Sequence, residues 1–250
     1  MIKRVLSRAV PEDEWPIWAL PLTMLLAFVL SGFLAYWFYF GPNMRDISGL
    51  SYAPTDDAAR VKVDVGGTLF AVPAHYTRNR QSRRTKPLQH AELHALLPDM
   101  APWRHENAEA FLQTDADSDL LTINIRAAER LLAPEKTFDT IYQPYILGGG
   151  NVRDDGLQGY SFKTDAPYAT KEIFRALTTG TREARAAAPL FICDRIESPS
   201  PTCESRFDLG NKAQASYRFK RKHLSDWENI DRQVKDKIRN FRAAARSRFN

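Results

Sequence analysis

Residues 17–40 read IWALPLTMLLAFVLSGFLAYWFYF, 24 positions from Ile17 to Phe40 without one charged side chain. At a rise of about 1.5 Å per residue such a helix outruns the roughly 30 Å hydrocarbon core of a bilayer, so it spans with some tilt. A cleaved secretory signal is the competing reading, but its apolar region runs about 7 to 15 residues and ends in small side chains. Here the run ends in Tyr36, Trp37, Phe38, Tyr39 and Phe40, the aromatic belt expected where a helix leaves the membrane. The chain therefore divides into a tail at 1–16, a transmembrane helix at 17–40, a linker at 41–60 and a soluble domain at 61–250.

The flanks orient the helix. Lys3, Arg4 and Arg8 precede it, whereas the segment just beyond it carries Arg45 against Asp46. Cationic side chains stay on the cytoplasmic side, and the acidic cluster Glu12, Asp13, Glu14 counts for little in that rule. The reading is a single-pass protein of a bacterial inner membrane, N-terminus cytoplasmic and C-terminal domain periplasmic.

Cys193 and Cys203 are the only cysteines. In an oxidising compartment an isolated pair predicts a disulfide, and closing the loop through Ser198-Pro199-Ser200-Pro201 is worth about 2–3 kcal/mol. Two buried thiols are the other reading.

Beyond the linker, VKVDV-GG-TLFAV alternates Val61, Val63 and Val65, turns at Gly66-Gly67 and resumes an apolar run, which predicts a β-hairpin. Strand periodicity returns at Leu88–Leu97, ended by Pro98, and at Leu120–Arg126, Leu157–Lys163, Ala169–Leu177, Leu190–Arg195, Cys203–Leu209 and Ala213–Lys220. Short helices are expected at Arg104–Gln113 and Pro134–Ile146, and a flexible turn at Gly148-Gly149-Gly150. A last helix opens at Ser225 with Glu228 as a capping box, its Trp227, Ile230, Val234, Ile238 and Phe241 recurring at helical spacing. The fold class is α+β: one N-terminal transmembrane helix, then a mainly antiparallel sheet domain with two or three helices.

Little in the chain carries chemistry. His90, Glu92 and His94 share one strand face and have a metal-site composition, but alternate positions stand nearly 7 Å apart, and the plain alternative is a solvated strand face. The three glycines lack the strand and helix context of a dinucleotide or phosphate loop, and no nucleophile elbow or HExxH occurs. No catalytic residue and no cofactor is expected. Ala27, Ser31, Gly32 and Ala35 give the membrane helix a small-residue face for lateral packing.

From Lys212 to the end there are 12 Lys and Arg against 4 Asp and Glu, a net of +8, so the preceding residues sum to −3 of the overall +5. Arg218, Lys220, Arg221, Lys222, Arg239 and Arg242 form the expected basic surface. Outside the cytoplasm such a strip meets no nucleic acid; an anionic headgroup layer or an acidic protein is one reading, and a solvated helix face whose Trp227 and Ile230 side closes the core is the other.

The blocks VGGTLFAVPAHY, HALLPDMAPW and PTCESRFDLGNKAQASYRFKRKHLSDWENID resemble uncharacterised proteobacterial single-pass inner-membrane proteins with a periplasmic domain. That resemblance implies inner-membrane location and periplasmic exposure and no particular activity. Within it, FAVPAHY (Phe70 to Tyr76) is similar to a block of immunity proteins of bacterial secretion systems. The expected partners are the lipid bilayer and other membrane or periplasmic proteins. The leading expectation is a protein-interaction module acting as an accessory or assembly subunit of an envelope complex. The alternatives are a sequestering or immunity protein that blocks a periplasmic enzyme, and a membrane-tethered hydrolase or metal site.

Overall fold

The computed structural model describes residues 18–40 and 51–249, apart from 85, 129–131, 179–180, 182, 184–185 and 211. The expected tail 1–16 and residues 41–50 of the expected linker lie outside the described residues. Two units form, Met1–Ile47 and Ser48–Asn250.

In the first unit α1 (Ala19–Phe40) is a single helix of 22 residues, about 33 Å long at 1.5 Å per residue. It is long and apolar enough to cross a bilayer. Its side chains from Leu20 to Tyr39 are exposed within this unit, including Ala27, Ser31, Gly32 and Ala35.

The second unit begins with the hairpin of β1 (Arg60–Val65) and β2 (Thr68–Pro73), a two-stranded sheet of its own. Gly66 and Gly67 take φ values of +59° and +81°, the left-handed pair that a two-residue hairpin turn needs. A Cβ on Gly66 would stand 2.9 Å from the Cβ of Ala127, so the bare backbone also lets the hairpin tip press against the main sheet.

That sheet has eight strands: β3 (His90–Leu96), β4 (Leu120–Ala127), β5 (Ile146–Val152), β6 (Leu157–Phe162), β7 (Lys171–Ala176), β8 (Leu190–Asp194), β9 (Thr202–Gly210) and β10 (Ala213–Lys220). Their order is β3-β4-β10-β9-β8-β7-β6-β5, antiparallel throughout. The helices are α2 (Ala108–Leu112), α3 (Pro134–Thr137), which continues through tighter and wider turns to Tyr145, and α4 (Trp227–Phe249). This is the expected α+β architecture.

One face of the sheet is apolar and packs under α4 and the hairpin. Ile230, Val234, Ile238 and Phe241 of α4 meet Leu93, Ile123, Ile125, Tyr217 and Phe219 of the sheet and Val63, Val65, Phe70 and Val72 of the hairpin. Each such side chain contributes about 1.5–3 kcal/mol when fully buried. Within this core the Tyr217 hydroxyl donates to Asp231 Oδ1 at 2.7 Å, and Lys235 Nζ donates to the other carboxylate oxygen at 2.7 Å, so the one acid on the buried side of α4 has partners on both oxygens. Cys193 on β8 faces Cys203 on β9, and the two form a disulfide with Cα atoms 4.0 Å apart and no solvent exposure.

Three local expectations change. The three glycines at 148–150 are the irregular middle of edge strand β5: pairing passes from Leu147 opposite Ser161 to Asn151 opposite Gly159, so three residues face one. Gly148 and Gly150 take φ of +76°, and a Cβ on Gly150 would strike the Tyr160 ring. The part of the expected linker from 51 onward belongs to the domain, because Ala53 N–H donates to Arg78 O at 3.0 Å and His75 N–H to Asp57 O at 2.9 Å. Finally, a 3-10 turn over Arg221–Asp226 precedes α4, which places Ser225 inside that turn rather than at the helix cap.

Candidate functional site

Strand alternation sends every second side chain of the three central strands away from the core. Thr122, Asn124 and Arg126 on β4 stand beside Arg218, Ser216 and Gln214 on β10, and those beside Glu204, Arg206 and Asp208 on β9. Their alternates, among them Leu121, Ile123, Ile125, Tyr217 and Phe219, are at most 2% exposed. The outward set is half-buried or exposed and makes a polar strip three strands wide.

Both flanks of this face are covered. Toward β5 the strip turns apolar, since Glu204 is paired with Ile192, Ile192 with Ile173 and Ile173 with Tyr160. Onto that half the helical segment 134–145 lays Phe138 and Tyr142, forming a second core with Phe162, Ile173 and Leu190. Arg175 Nη2 reaches Glu135 Oε1 at 3.4 Å and its guanidinium lies over the Phe138 ring, which holds the segment down. On the other flank His94 of β3 sits beneath Phe111 of α2, ring centroids 4.7 Å apart, with the Tyr52 ring 6.2 Å away.

The electrostatics centre on Glu204. Burial by itself would raise its carboxyl, but hydrogen bonds from Arg218 Nη2 and Arg206 Nε, both at 2.8 Å, outweigh burial and hold it below the ordinary carboxylate range. Arg126 has no ion-pair partner among the described residues and is exposed. Where the helical segment meets the strip, a cleft of about 310 Å³ is lined by Thr137, Ile141 and Tyr142 of that segment, Leu190 and Ile192 of β8, and Glu204 and Arg206 of β9.

The candidate set His90, Glu92 and His94 is dispersed in the structure. His90 is exposed, Glu92 pairs with Arg78 Nη1 at 2.7 Å, and His94 is 2% exposed with Nε2 unpartnered. Burial, reinforced by the nearby Arg78 and Arg83 charges, lowers the His94 pKa to about 3, so its ring is neutral at ordinary pH. Among the described residues no group of three His, Cys, Asp or Glu is placed to hold a metal ion.

The expected basic surface is divided rather than continuous. Arg218 lies on the polar strip. Lys220 Nζ donates to Thr114 O at 2.6 Å and to Ser200 Oγ at 2.5 Å, Arg221 pairs with Glu172 and donates to Asp194 O, and Lys222 pairs with Asp119 at 2.7 Å. These three lock loops to the sheet. Arg239 pairs with Asp236 on α4, and Arg242 Nη1 donates to Leu209 O at 2.6 Å. Sequence reasoning missed Asn124, Arg126, Glu204, Arg206, Gln214 and Ser216. Their alternation is visible in each strand, but only the strand order makes them neighbours.

No protein family's sequence pattern matches the chain, and no curated protein sequence does. Among solved structures the chain is similar to Smlt3025, an immunity protein of the Stenotrophomonas maltophilia type IV secretion system, with a TM-score of 0.53 and 19% identity, over 74% of this chain and 93% of that one. At that identity the likeness establishes a shared fold.

Proposed function

We propose that this chain is a membrane-anchored, periplasm-facing immunity-type protein that binds and blocks a toxic enzyme reaching the envelope. The observation that carries the reading is the fold shared with Smlt3025 across 93% of that protein's length. An open polar face between two covered flanks fits a surface whose work is binding. The apolar α1, the cations Lys3, Arg4 and Arg8 before it and the Cys193–Cys203 disulfide support periplasmic display.

The test is a competition between cells. A strain lacking the gene is mixed with sibling cells whose secretion system is active. The expected result is killing or lysis of the deleted strain, reversed by the full chain supplied from a plasmid; survival equal to the parent refutes the proposal. A reporter active only in the periplasm, fused after Asn250, is expected to be active, and silence from it overturns the compartment.

The accessory-subunit reading has one observation of its own, the small-residue face Ala27, Ser31, Gly32 and Ala35 on α1. Purification from membranes in mild detergent with a stoichiometric membrane complex would favour it over the immunity reading.

A further inference from the structure

We infer that the polar strip and its adjoining cleft form one docking site, and that the partner meets it with an acidic segment carrying a single large aromatic side chain. The inference rests on the immunity reading and names the chemistry of the partner.

The charge of the strip sets the first half. The three-strand strip holds three guanidinium groups, Arg126, Arg206 and Arg218, against the two carboxylates of Glu204 and Asp208, a net of one positive charge. The Glu204 carboxylate takes one hydrogen bond from each of Arg206 and Arg218, whose side chains remain 59% and 58% exposed, so most of each guanidinium fork still faces outward. Arg126 is without an ion-pair partner among the described residues. Beside the strip Glu92 on β3 pairs with Arg78 at 2.7 Å, and within it the Asp208 carboxylate accepts from the Gly210 N–H at 2.7 Å and keeps its charge. The surplus is cationic, fork-shaped and outward, the arrangement that pairs bidentately with carboxylates.

The cleft sets the second half. Its volume of about 310 Å³ is room for one aromatic side chain, its walls are Ile141, Tyr142, Leu190 and Ile192, and Leu132 on its rim is 49% exposed. An apolar lining with the Glu204 carboxylate in it suits a Tyr or Trp, with its ring against Ile141 and Leu190 and its O–H or N–H toward Glu204. A central pocket filled by an aromatic anchor, bordered by charge pairs, is the arrangement in which a few residues dominate binding. By contrast, Lys235 and Arg239 on α4 pair with acids of their own helix, Asp231 and Asp236.

The test uses the full chain in the competition between cells, at graded attacker-to-target ratios, with variants matched for membrane abundance by immunoblot and for fold by protease resistance. R126E reverses the unpaired charge without touching an internal ion pair, and T137W fills the cleft from Thr137, which lines it one helical turn before Ile141. Each is expected to reduce protection about tenfold or more, R126K, which keeps the charge and loses the bidentate fork, to reduce it by less, and R232E, at an exposed position of α4, to protect like the parent chain. Full protection by both R126E and T137W, in a setting where the deleted strain is killed, overturns the inference and leaves the immunity reading standing. Loss with R126E alone assigns the strip to a purely polar partner and overturns the aromatic anchor. A deleted strain that is not killed removes the immunity reading and this inference together.

Discussion

Lowering the pH from 7 to 5 should destabilise the domain mainly through one imidazole. His94 has a folded pKa of about 3 against an ordinary 6.5, because burial under Phe111 and the charges of Arg78 and Arg83 exclude the protonated ring. The folded value is depressed, so the stability involved is fully present above pH 6.5 and is lost as pH falls through that value toward 3. At pH 5 the unfolded ring is almost wholly protonated while the folded ring is neutral, a difference of about 2 kcal/mol by proton linkage. The carboxylates Asp119, Asp194 and Glu204 are also held below their ordinary pKa, but their losses begin at lower pH. Urea unfolding of the full chain in mild detergent, followed by tryptophan fluorescence at pH 7 and pH 5, measures the loss. The variant H94Q sacrifices some packing at both pH values yet removes the titration, so its loss between pH 7 and 5 should be smaller than the parent's by about 2 kcal/mol. Equal losses in the two proteins would refute the assignment to His94.

Three further outcomes follow from the packing. Replacing both cysteines with alanine (C193A/C203A) should lower unfolding stability by about 3 kcal/mol, the loop-closure estimate for a separation of 10 residues, and an unchanged urea midpoint would contradict it. Y217F removes the buried hydroxyl that donates to Asp231, so the expected loss is about 1–2 kcal/mol, and a neutral result would show that Lys235 alone suffices for that carboxylate. I238A on the buried face of α4 should lose about 2–5 kcal/mol, measured by the same unfolding curves, while a loss below 1 kcal/mol would mean the helix contributes little to the core.

Much of the fold is legible in the chain because its determinants are local. The hairpin at Gly66-Gly67 follows from a turn that needs two left-handed residues, and α4 follows from apolar side chains at helical spacing. The disulfide followed from having two cysteines ten residues apart on a short connection. Where local signals competed with tertiary ones, the reading changed. Gly148 to Gly150 looked like a turn because glycine is permissive, yet neighbouring β6 holds them in a strand whose register slips by two. His90, Glu92 and His94 share one strand face and read either as a ligand composition or as a solvated face, yet Arg78 takes Glu92 while Phe111 and Tyr52 cover His94, contacts that come from other segments of the chain.

By itself the sequence determined the charge-free apolar run of residues 17–40, in which the helix occupies 19–40, the α+β class and the alternation that divides each strand into a core side and an outer side, since all three rest on local composition or periods of a few residues. Only the tertiary structure decided that β10 inserts between β4 and β9. That insertion is non-local: it sets Arg126, Arg206 and Arg218, separated by up to 92 positions in the chain, on one surface with Glu204. It also decided that the helical segment 134–145 covers half of that surface and leaves a cleft at its edge. Strand order is settled by which apolar faces bury one another best, a property of the whole core rather than of any one strand.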